Sequence, residues 1–512
     1  MIETNIEESI EETILELVDY GIEKGLIEKR DSIYVINRLL DLLNLVEFRD
    51  LDQKIGQSLG DGRKIGDILD SFRDYAVKSK LAEDDSVEIL DLFDTKIMDT
   101  LAKRPSEIEK DFWSLYEKSP QAATEYYYDF AKNINYIRED RIKKDIKWIQ
   151  KTEYGDLDIT INMSKPEKDS RSIAKEKLIK TSSYPKCLLC RENEGYAGRI
   201  GYPARDNHRI IQLDLNHENW FMQYSPYVYY NEHCIVLKES HDPMRITRET
   251  FKRLLDFVEV FPHYILGSNA DLPIVGGSIL SHDHFQGGGY EFSMERAQER
   301  NHQREENGIE VSTLRWPMSV IRLKGDKIDD LVNLGDTILS NWINYTDKSV
   351  NIVSHTGDTR HNTITPVARF KDGKFQLDLV LRNNRCDELS PEGIFHPRQE
   401  YHNIKKENIG VIEVMGLAVL PSRLKKEMEE IKRFLLEGKL EAIRLDEDLN
   451  KHYDFAKTIK EKYKIDKIDL QEVIENEIGE IFSKVLKDAG VFKDTEKGQE
   501  AFRTCLEILL GQ

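Results

Sequence analysis

The chain has 512 residues, of which 39% are hydrophobic and 33% charged, a polar composition that still suffices to bury globular cores. Its 94 acidic and 74 basic residues give a formal net charge of −20. This charge argues against non-specific binding to nucleic acid or to an anionic membrane, because both need clustered lysines and arginines. The five cysteines are too few for a disulfide framework.

The first part of the chain is predicted to be helical. Apolar residues recur at helical spacing over 6–47, and a second helical pattern runs through 83–150. We therefore predict a helical amino-terminal region over 1–150. All 13 histidines lie at or beyond His208, so we expect the chemistry of the protein to lie outside this region.

From about residue 155 the pattern changes to strands mixed with helices. Strand-like runs include 278–286 and 410–420, and helical runs such as 247–261 and 328–345 separate some of them. This order predicts an α+β fold rather than strict alternation of strand and helix. A charged amphipathic helical pattern returns over 422–512.

Targeting signals and membrane spans are not expected. The acidic amino terminus lacks the basic start and apolar centre of a signal peptide. No run of about 18 apolar residues suggests a transmembrane helix. We predict a cytoplasmic protein without nucleic-acid or membrane partners.

The hexapeptide Ser281-His-Asp-His-Phe-Gln286 is the most informative motif. In a strand, side chains two apart share a face, so His282, His284 and Gln286 would be aligned. Glycines on both sides let the backbone approach a ligand closely. Histidine is largely neutral near pH 7 and hence nucleophilic, so the motif suits the handling of a phosphate. The alternative is an edge strand with two hydrogen-bonded, partly buried histidines.

Cys187-Leu-Leu-Cys190 is a second candidate motif. It suits half of a zinc site, a redox pair or two buried thiols, and redox is disfavoured because no thioredoxin-like context surrounds it. Zinc needs two further ligands, for which His233, His241 and His282 are candidates. We predict a metal site of Cys187, Cys190, His241 and His282, with zinc binding left open against the alternative of buried thiols.

Basic and polar turns are candidates for phosphate and sugar binding. Residues 199–209 supply three arginines within an acidic protein, and guanidinium groups match phosphate oxygens in a bidentate way. The alternative is a solvated loop. The turns 356–362 and 382–385 add further polar groups. The candidate substrate-binding residues are Arg199, Arg205, Arg209, Ser278, Ser281, Gly287, Arg360, Asn362 and Arg382.

Four segments together resemble the galactose-1-phosphate uridylyltransferases, and more specifically their class II branch, the UDP-glucose–hexose-1-phosphate uridylyltransferases. These are 276–288, which holds the hexapeptide, 184–199 with the two cysteines, 361–366 and 408–421. The likeness covers about 155–430. It implies a histidine-triad-like α+β fold with a mixed or antiparallel sheet core, in two related halves over 151–300 and 301–430, followed by a helical region over 431–512.

The resemblance also implies a reaction. UMP would move from UDP-glucose to galactose-1-phosphate, giving glucose-1-phosphate and UDP-galactose in galactose metabolism, by ping-pong kinetics through a uridylyl-histidine. His284 would be the nucleophile and Gln286 would hydrogen-bond the transferring phosphoryl group, while His282 would bind a structural metal or orient His284. One structural Zn²⁺ and no organic cofactor are implied, and the partner is expected to be a second copy of the chain in a homodimer.

Two departures from the class I branch of that family concern the hexapeptide. Class I enzymes have proline between the two histidines, where this chain has Asp283, and Ser281 directly precedes the first histidine. Two alternative functions remain at this stage. One is a dinucleotide phosphorylase or hydrolase of the same superfamily, and the other is a non-catalytic module that binds a nucleotide or zinc.

Overall fold

The computed structural model of the chain describes residues 2–49, 63–164, 182–306 and 308–511. The helices in these ranges are α1 (Ile2–Glu23), α2 (Ser32–Leu42), α3 (Ile65–Lys78), α4 (Val87–Asp99), α5 (Pro105–Tyr116), α6 (Pro120–Asn133), α7 (Glu139–Ile142), α8 (Arg248–Val260), α9 (Ser293–Arg296), α10 (Ile328–Asn344), α11 (Val411–Val414), α12 (Arg423–Leu436), α13 (Leu440–Leu445), α14 (Tyr453–Lys462), α15 (Leu470–Ala489) and α16 (Glu496–Leu509). The strands are β1 (Ile146–Thr152), β2 (Gly155–Ile161), β3 (Ile211–Leu215), β4 (Glu218–Tyr224), β5 (Cys234–Lys238), β6 (Ile265–Ser268), β7 (His284–Gly288), β8 (Glu299–Glu306), β9 (Ile309–Leu314), β10 (Val320–Gly325), β11 (His355–Thr356), β12 (Thr359–Arg360), β13 (Asn362–Lys371), β14 (Lys374–Asn383) and β15 (Leu417–Leu420).

The chain divides into two compact units. The first contains the described residues of Met1–Lys143, Pro166–Leu213 and Phe221–Val228. Its helices α1 to α6 bury one apolar face each, as the periodicity predicts, and α1 buries Ile10, Ile14, Leu17 and Val18. The predicted helices over 6–47 are therefore present as α1 and α2.

The second unit contains the described residues of Lys144–Lys165, Asp214–Trp220 and Tyr229–Gln512. Its hydrophobic core includes residues of α12, α14 and α15 and the inward faces of β1, β2 and β15. In this small sheet, β1 runs antiparallel to β2 whereas β15 runs parallel to it. The carboxyl-terminal helices predicted over 422–512 are present, and α12, α14, α15 and α16 are amphipathic because each buries a stripe of apolar residues.

A ten-stranded sheet has the order β3-β4-β5-β7-β6-β13-β14-β10-β9-β8. From β5 to the edge strand β8 in this spatial order, every two neighbouring strands are antiparallel. Helices α8 and α10 contact each other, and both contact β13. Helices with a large, mainly antiparallel sheet confirm the predicted α+β class, whereas the predicted domain boundaries at 150, 300 and 430 stay a prediction.

Two strand predictions are wrong in part. The predicted strand 278–286 begins only at His284, so His282 lies just before β7. The predicted strand 410–420 is the short helix α11 followed by β15. Short apolar runs fit helix and strand equally well, and the pattern alone does not decide between them.

Among the described residues, no helix is both long enough and apolar enough to span a membrane.

Candidate active site

The strand β7 places His284 and Gln286 in the middle of the large sheet. It pairs with β5, where Leu237 is opposite His284 and Ile235 is opposite Gln286, and with β6 on its other side. Two glycines make this packing feasible. A Cβ atom on Gly287 would lie 2.2 Å from a backbone oxygen of β6, and one on Gly288 would lie 2.3 Å from the backbone oxygen of Glu232.

The imidazole of His284 is buried and held in one orientation. Its Nδ1 lies 2.8 Å from the main-chain oxygen of His282, and a carbonyl oxygen accepts only, so Nδ1 carries the proton. The side chain is 5% exposed, and this burial lowers the pKa of His284 to about 4. The neutral ring therefore has its lone pair on Nε2.

The side chain of Gln286 meets a histidine from the segment that leads into β5. Nε2 of His233 lies 3.3 Å from Oε1 of Gln286. His233 was a candidate metal ligand from its place in the sequence, but the structure puts it against Gln286 instead. The contact depends on the pairing of β5 with β7, which periodicity within one segment does not reveal.

Asp283 has a clear structural partner. The carboxylate is buried and lies 3.7 Å from the guanidinium of Arg253, which also forms an ion pair with Glu218 at 2.8 Å. Burial raises the pKa of Asp283 to about 6. The guanidinium lies over the ring of Trp220, which in turn stacks on Phe285 at 4.8 Å between centroids. Sequence reasoning named Asp283 but missed Arg253, because the two residues are 30 positions apart.

The residues of the predicted metal site belong to both compact units, with Cys187 and Cys190 in the first and His241 and His282 in the second. The two sulfur atoms are 3.6 Å apart, close to the ~3.8 Å that two thiolates adopt on a tetrahedral zinc with bonds of about 2.3 Å. Nε2 of His282 donates to the main-chain oxygen of Lys238 at 2.8 Å, the kind of contact that orients a histidine ligand. The chemistry of the donor set and the spacing of the two sulfur atoms fit Zn²⁺, and the four-residue site stays a prediction.

The three predicted arginines of 199–209 differ in burial and in the protein groups that their guanidinium groups contact. Arg199 is half-exposed and its guanidinium lies over the ring of Tyr202, and that of Arg205 lies over the ring of Tyr136. Arg209 is buried, and its guanidinium donates to the main-chain oxygen of Lys103 and to three further protein oxygens. Arg199 also donates to three protein oxygens, of Tyr184, Tyr196 and Ser182, so a role of these arginines in binding phosphate stays a prediction.

The other candidate substrate-binding residues differ in exposure and in their contacts. Ser278 and Ser281 are exposed in the segment before β7, whereas Gly287 is buried within it. Arg360 forms an ion pair with Asp271 at 2.8 Å. The amide of Asn362 donates to the main-chain oxygen of Trp342 within α10 and to that of Tyr345 directly after it, and the side chain is fully buried. The amide thus supports the fold, and a role of Asn362 in binding a substrate stays a prediction.

Arg382 is an unusual member of the set because it is buried and forms no ion pair with a carboxylate of the described residues. Its guanidinium donates to Thr365 and to the main-chain oxygen of Ile409. Burial lowers the pKa of Arg382 to about 10. Its role as a substrate-binding residue stays a prediction.

Comparison with known proteins assigns the chain to a family. Residues 25–243 match the amino-terminal domain of galactose-1-phosphate uridyl transferase, and residues 257–456 match its carboxyl-terminal domain. The galactose-1-phosphate uridylyltransferase of Clostridium acetobutylicum is 52% identical over 98% of this chain and 100% of its own length. That of Fusobacterium nucleatum subsp. nucleatum is 49% identical over 97% and 98%, respectively.

A solved structure, yeast Ap4A phosphorylase, aligns with 58% of this chain and 88% of its own, at 9% identity and a TM-score of 0.32. A likeness at this level supports no conclusion about the chain. The two domain matches and the full-length relatives do, and they show that the chain belongs to the galactose-1-phosphate uridylyltransferase family of transferases.

Proposed function

We propose that this chain transfers UMP from UDP-glucose to galactose-1-phosphate, as an enzyme of galactose metabolism, and that His284 carries the UMP between the two. The relatives that match over nearly the whole chain are named for this transfer. The observation that carries the proposal is the hydrogen bond from Nδ1 of His284 to the oxygen of His282, because it leaves the opposite ring nitrogen free to attack phosphorus.

The reaction consists of two displacements at one phosphorus atom. Nε2 of His284 attacks the α-phosphorus of UDP-glucose, so that an N–P bond forms and the bond to the bridging oxygen breaks. Glucose-1-phosphate leaves as a phosphate and needs no proton from the enzyme. A phosphate oxygen of galactose-1-phosphate then attacks the same phosphorus, the N–P bond breaks, and UDP-galactose leaves. Ping-pong kinetics follow from this order.

The amide of Gln286 suits transfer to a sugar phosphate better than hydrolysis. It lies one pleat from His284 on β7, and its N–H groups are able to donate to a phosphoryl oxygen. An amide has no proton to release at neutral pH, so it does not act as a general acid. A leaving group that departs as a phosphate needs no general acid, whereas a poorer leaving group would need one.

The group of Cys187, Cys190, His241 and His282 would hold one structural Zn²⁺. The ion, when bound, would fix the thiolates and imidazoles in a closed tetrahedral site. The ring of His282 would then be held on two sides, by the metal on one nitrogen and by the main-chain oxygen of Lys238 on Nε2. Its carbonyl oxygen would in turn keep the ring of His284 in the attacking orientation.

An assay of the purified chain tests the proposal directly. UDP-glucose and galactose-1-phosphate should yield UDP-galactose and glucose-1-phosphate, with parallel lines in double-reciprocal plots as ping-pong transfer requires. His284→Gly should abolish turnover while the protein stays folded. Release of UMP at the same rate with and without the sugar phosphate would point to a hydrolase, and nucleotide binding without turnover to a binding module. The homodimer and the cytoplasmic location stay predictions.

A further inference from the structure

The amide of Gln286 has a partner at its oxygen but not at its nitrogen. Nε2 of His233 lies 3.3 Å from Oε1. Within the residues that the structure describes, the amide nitrogen hydrogen-bonds no protein group, and the side chain is partly exposed. The two N–H groups are therefore available to a ligand.

The imidazole of His233 is buried, neutral and clamped. It stacks against the ring of Tyr229 at 5.3 Å and that of Tyr230 at 4.6 Å, between ring centroids. The side chain is 2% exposed, and burial lowers the pKa of His233 to about 4. A neutral imidazole has a single N–H, so only one of its nitrogens is able to donate.

The surroundings of the ring decide which nitrogen carries that proton. Nδ1 of His233 is buried and has no hydrogen-bond partner among the described residues. With the proton on Nε2, the ring donates to the oxygen of Gln286 and buries only a lone pair at Nδ1. With the proton on Nδ1, a buried N–H would lack an acceptor and two lone pairs would face each other. The first arrangement is favoured because an unsatisfied buried donor is costly.

We propose that His233 is a positioning residue that holds the amide of Gln286 with both N–H groups directed at the transferring phosphoryl group. This inference rests on the proposed function, in which Gln286 contacts the phosphoryl group. Without His233, the amide is free to rotate by half a turn and to present its oxygen to an anionic phosphoryl oxygen. Such an orientation repels the transition state instead of stabilising it.

The backbone around His233 supports the same role. The hydroxyl group of Tyr230 donates to the main-chain oxygen of Gly287 at 3.0 Å, directly after Gln286. The main-chain N–H of His233 donates to the oxygen of Tyr230 at 3.2 Å. The tyrosine thus fixes both the histidine and the strand that carries the glutamine.

A double-mutant cycle separates positioning from general support of the fold. His233→Phe keeps a ring between the two tyrosines but removes the N–H, and we expect roughly a tenfold lower rate of UMP transfer to the enzyme, with a smaller change in KM for UDP-glucose. In the Gln286→Ala background, His233→Phe should have no further effect on that rate. His233→Gln, which supplies an amide N–H near the position of Nε2, should recover part of the loss.

His263→Phe is the matched control. His263 also packs against aromatic rings, Phe261 and Tyr264, and burial lowers its pKa to about 4, so a general cost of the exchange should appear there too. An equal loss from His233→Phe with and without Gln286 would overturn the proposal. A wild-type protein that transfers no UMP would instead contradict the proposed function, before any variant is compared.

A measurement on the unaltered protein does not depend on the folding of variants. The ¹⁵N shifts of histidine-labelled protein, with His233 assigned by its loss in His233→Gln, should show Nε2 protonated and Nδ1 unprotonated at pH 7. Protonation of Nδ1 would overturn the proposal, because the ring would then have no hydrogen to give to Gln286.

Discussion

His282 orients the ring of His284, because its main-chain oxygen accepts a hydrogen bond from Nδ1 of His284 at 2.8 Å. In the proposed function His282 is also a ligand of the structural zinc, so loss of that metal should disturb the orientation of His284 through this one residue. The orientation of the His284 ring therefore depends on the position of the main chain at His282.

Removal of one thiolate tests the metal group. Cys190→Ser should lower the zinc content from about one ion per chain to a small fraction of this, and should lower the melting temperature, because a closed four-ligand site contributes to folding. Elemental analysis and thermal unfolding give the two readouts. Cys386→Ser, at an exposed cysteine, should change neither. Equal zinc contents in the two variants would contradict the assignment.

A methyl group at Gly287 should strain the large sheet. The new Cβ would lie 2.2 Å from the backbone oxygen of Ile265, so one of the strands must shift. We expect Gly287→Ala to lower the free energy of unfolding by about 2 kcal/mol, as overpacking does elsewhere. Urea unfolding measures it, and Gly66→Ala, where a Cβ meets nothing within 4 Å, should not destabilise the protein.

The two residues of the ion pair beside β7, Arg253 and Asp283, should contribute unequally to the free energy of unfolding. Arg253→Met would leave Asp283 buried without its cation, and we expect a loss of about 3 kcal/mol in the free energy of unfolding. Adding Asp283→Asn to Arg253→Met should recover part of this loss, because a neutral amide costs less to bury than a carboxylate. A double variant less stable than Arg253→Met would contradict the account.

Part of the site followed from sequence, and particular residues show where such reasoning stops. The spacing of His284 and Gln286 predicted a shared face, and they do lie two apart on β7. His282 does not belong to this strand: the chain bends at Ser281 and His282. The main-chain N–H of Asp283 donates to the main-chain oxygen of Asp242 at 2.7 Å. A local pattern predicts alternation, but the point at which pairing begins depends on distant chain.

The partners of the motif were beyond sequence reasoning for the same reason. His233 reaches Gln286 only because β5 and β7 pair in one register, with Ile235 opposite Gln286. Arg253 comes from a helix, and Asp283 meets it across 30 residues of chain. Conversely, the sequence suggests Asn362 as a polar group in a ligand-binding turn, whereas its amide donates to two backbone oxygens at the carboxyl end of α10.

The acid sensitivity of the first unit should depend on His208. Burial lowers the pKa of His208 to about 3, from an ordinary value near 6.5, and Nε2 hydrogen-bonds Gln223 at 2.9 Å. Between these values the unfolded chain binds a proton that the folded chain does not. Stability is therefore lost as the pH falls from 6.5 toward 3, by about 2 kcal/mol between pH 7 and pH 5.

Urea unfolding of wild type and of His208→Phe at these two pH values isolates that contribution. The difference in stability between pH 7 and pH 5 should be smaller in the variant by this amount. An unchanged difference would show that His208 is protonated in the folded protein or that its contribution is cancelled elsewhere.

If UMP is carried on His284, the uridylylated histidine should be trapped when no acceptor is present. The protein is incubated with UDP-glucose labelled in the uracil ring, without a sugar-phosphate acceptor, then denatured and digested for mass spectrometry. The account predicts a UMP adduct on His284 that disappears as UDP-galactose forms when galactose-1-phosphate is added before denaturation. Turnover by the wild-type protein with no adduct, or with the adduct on another residue, would contradict it.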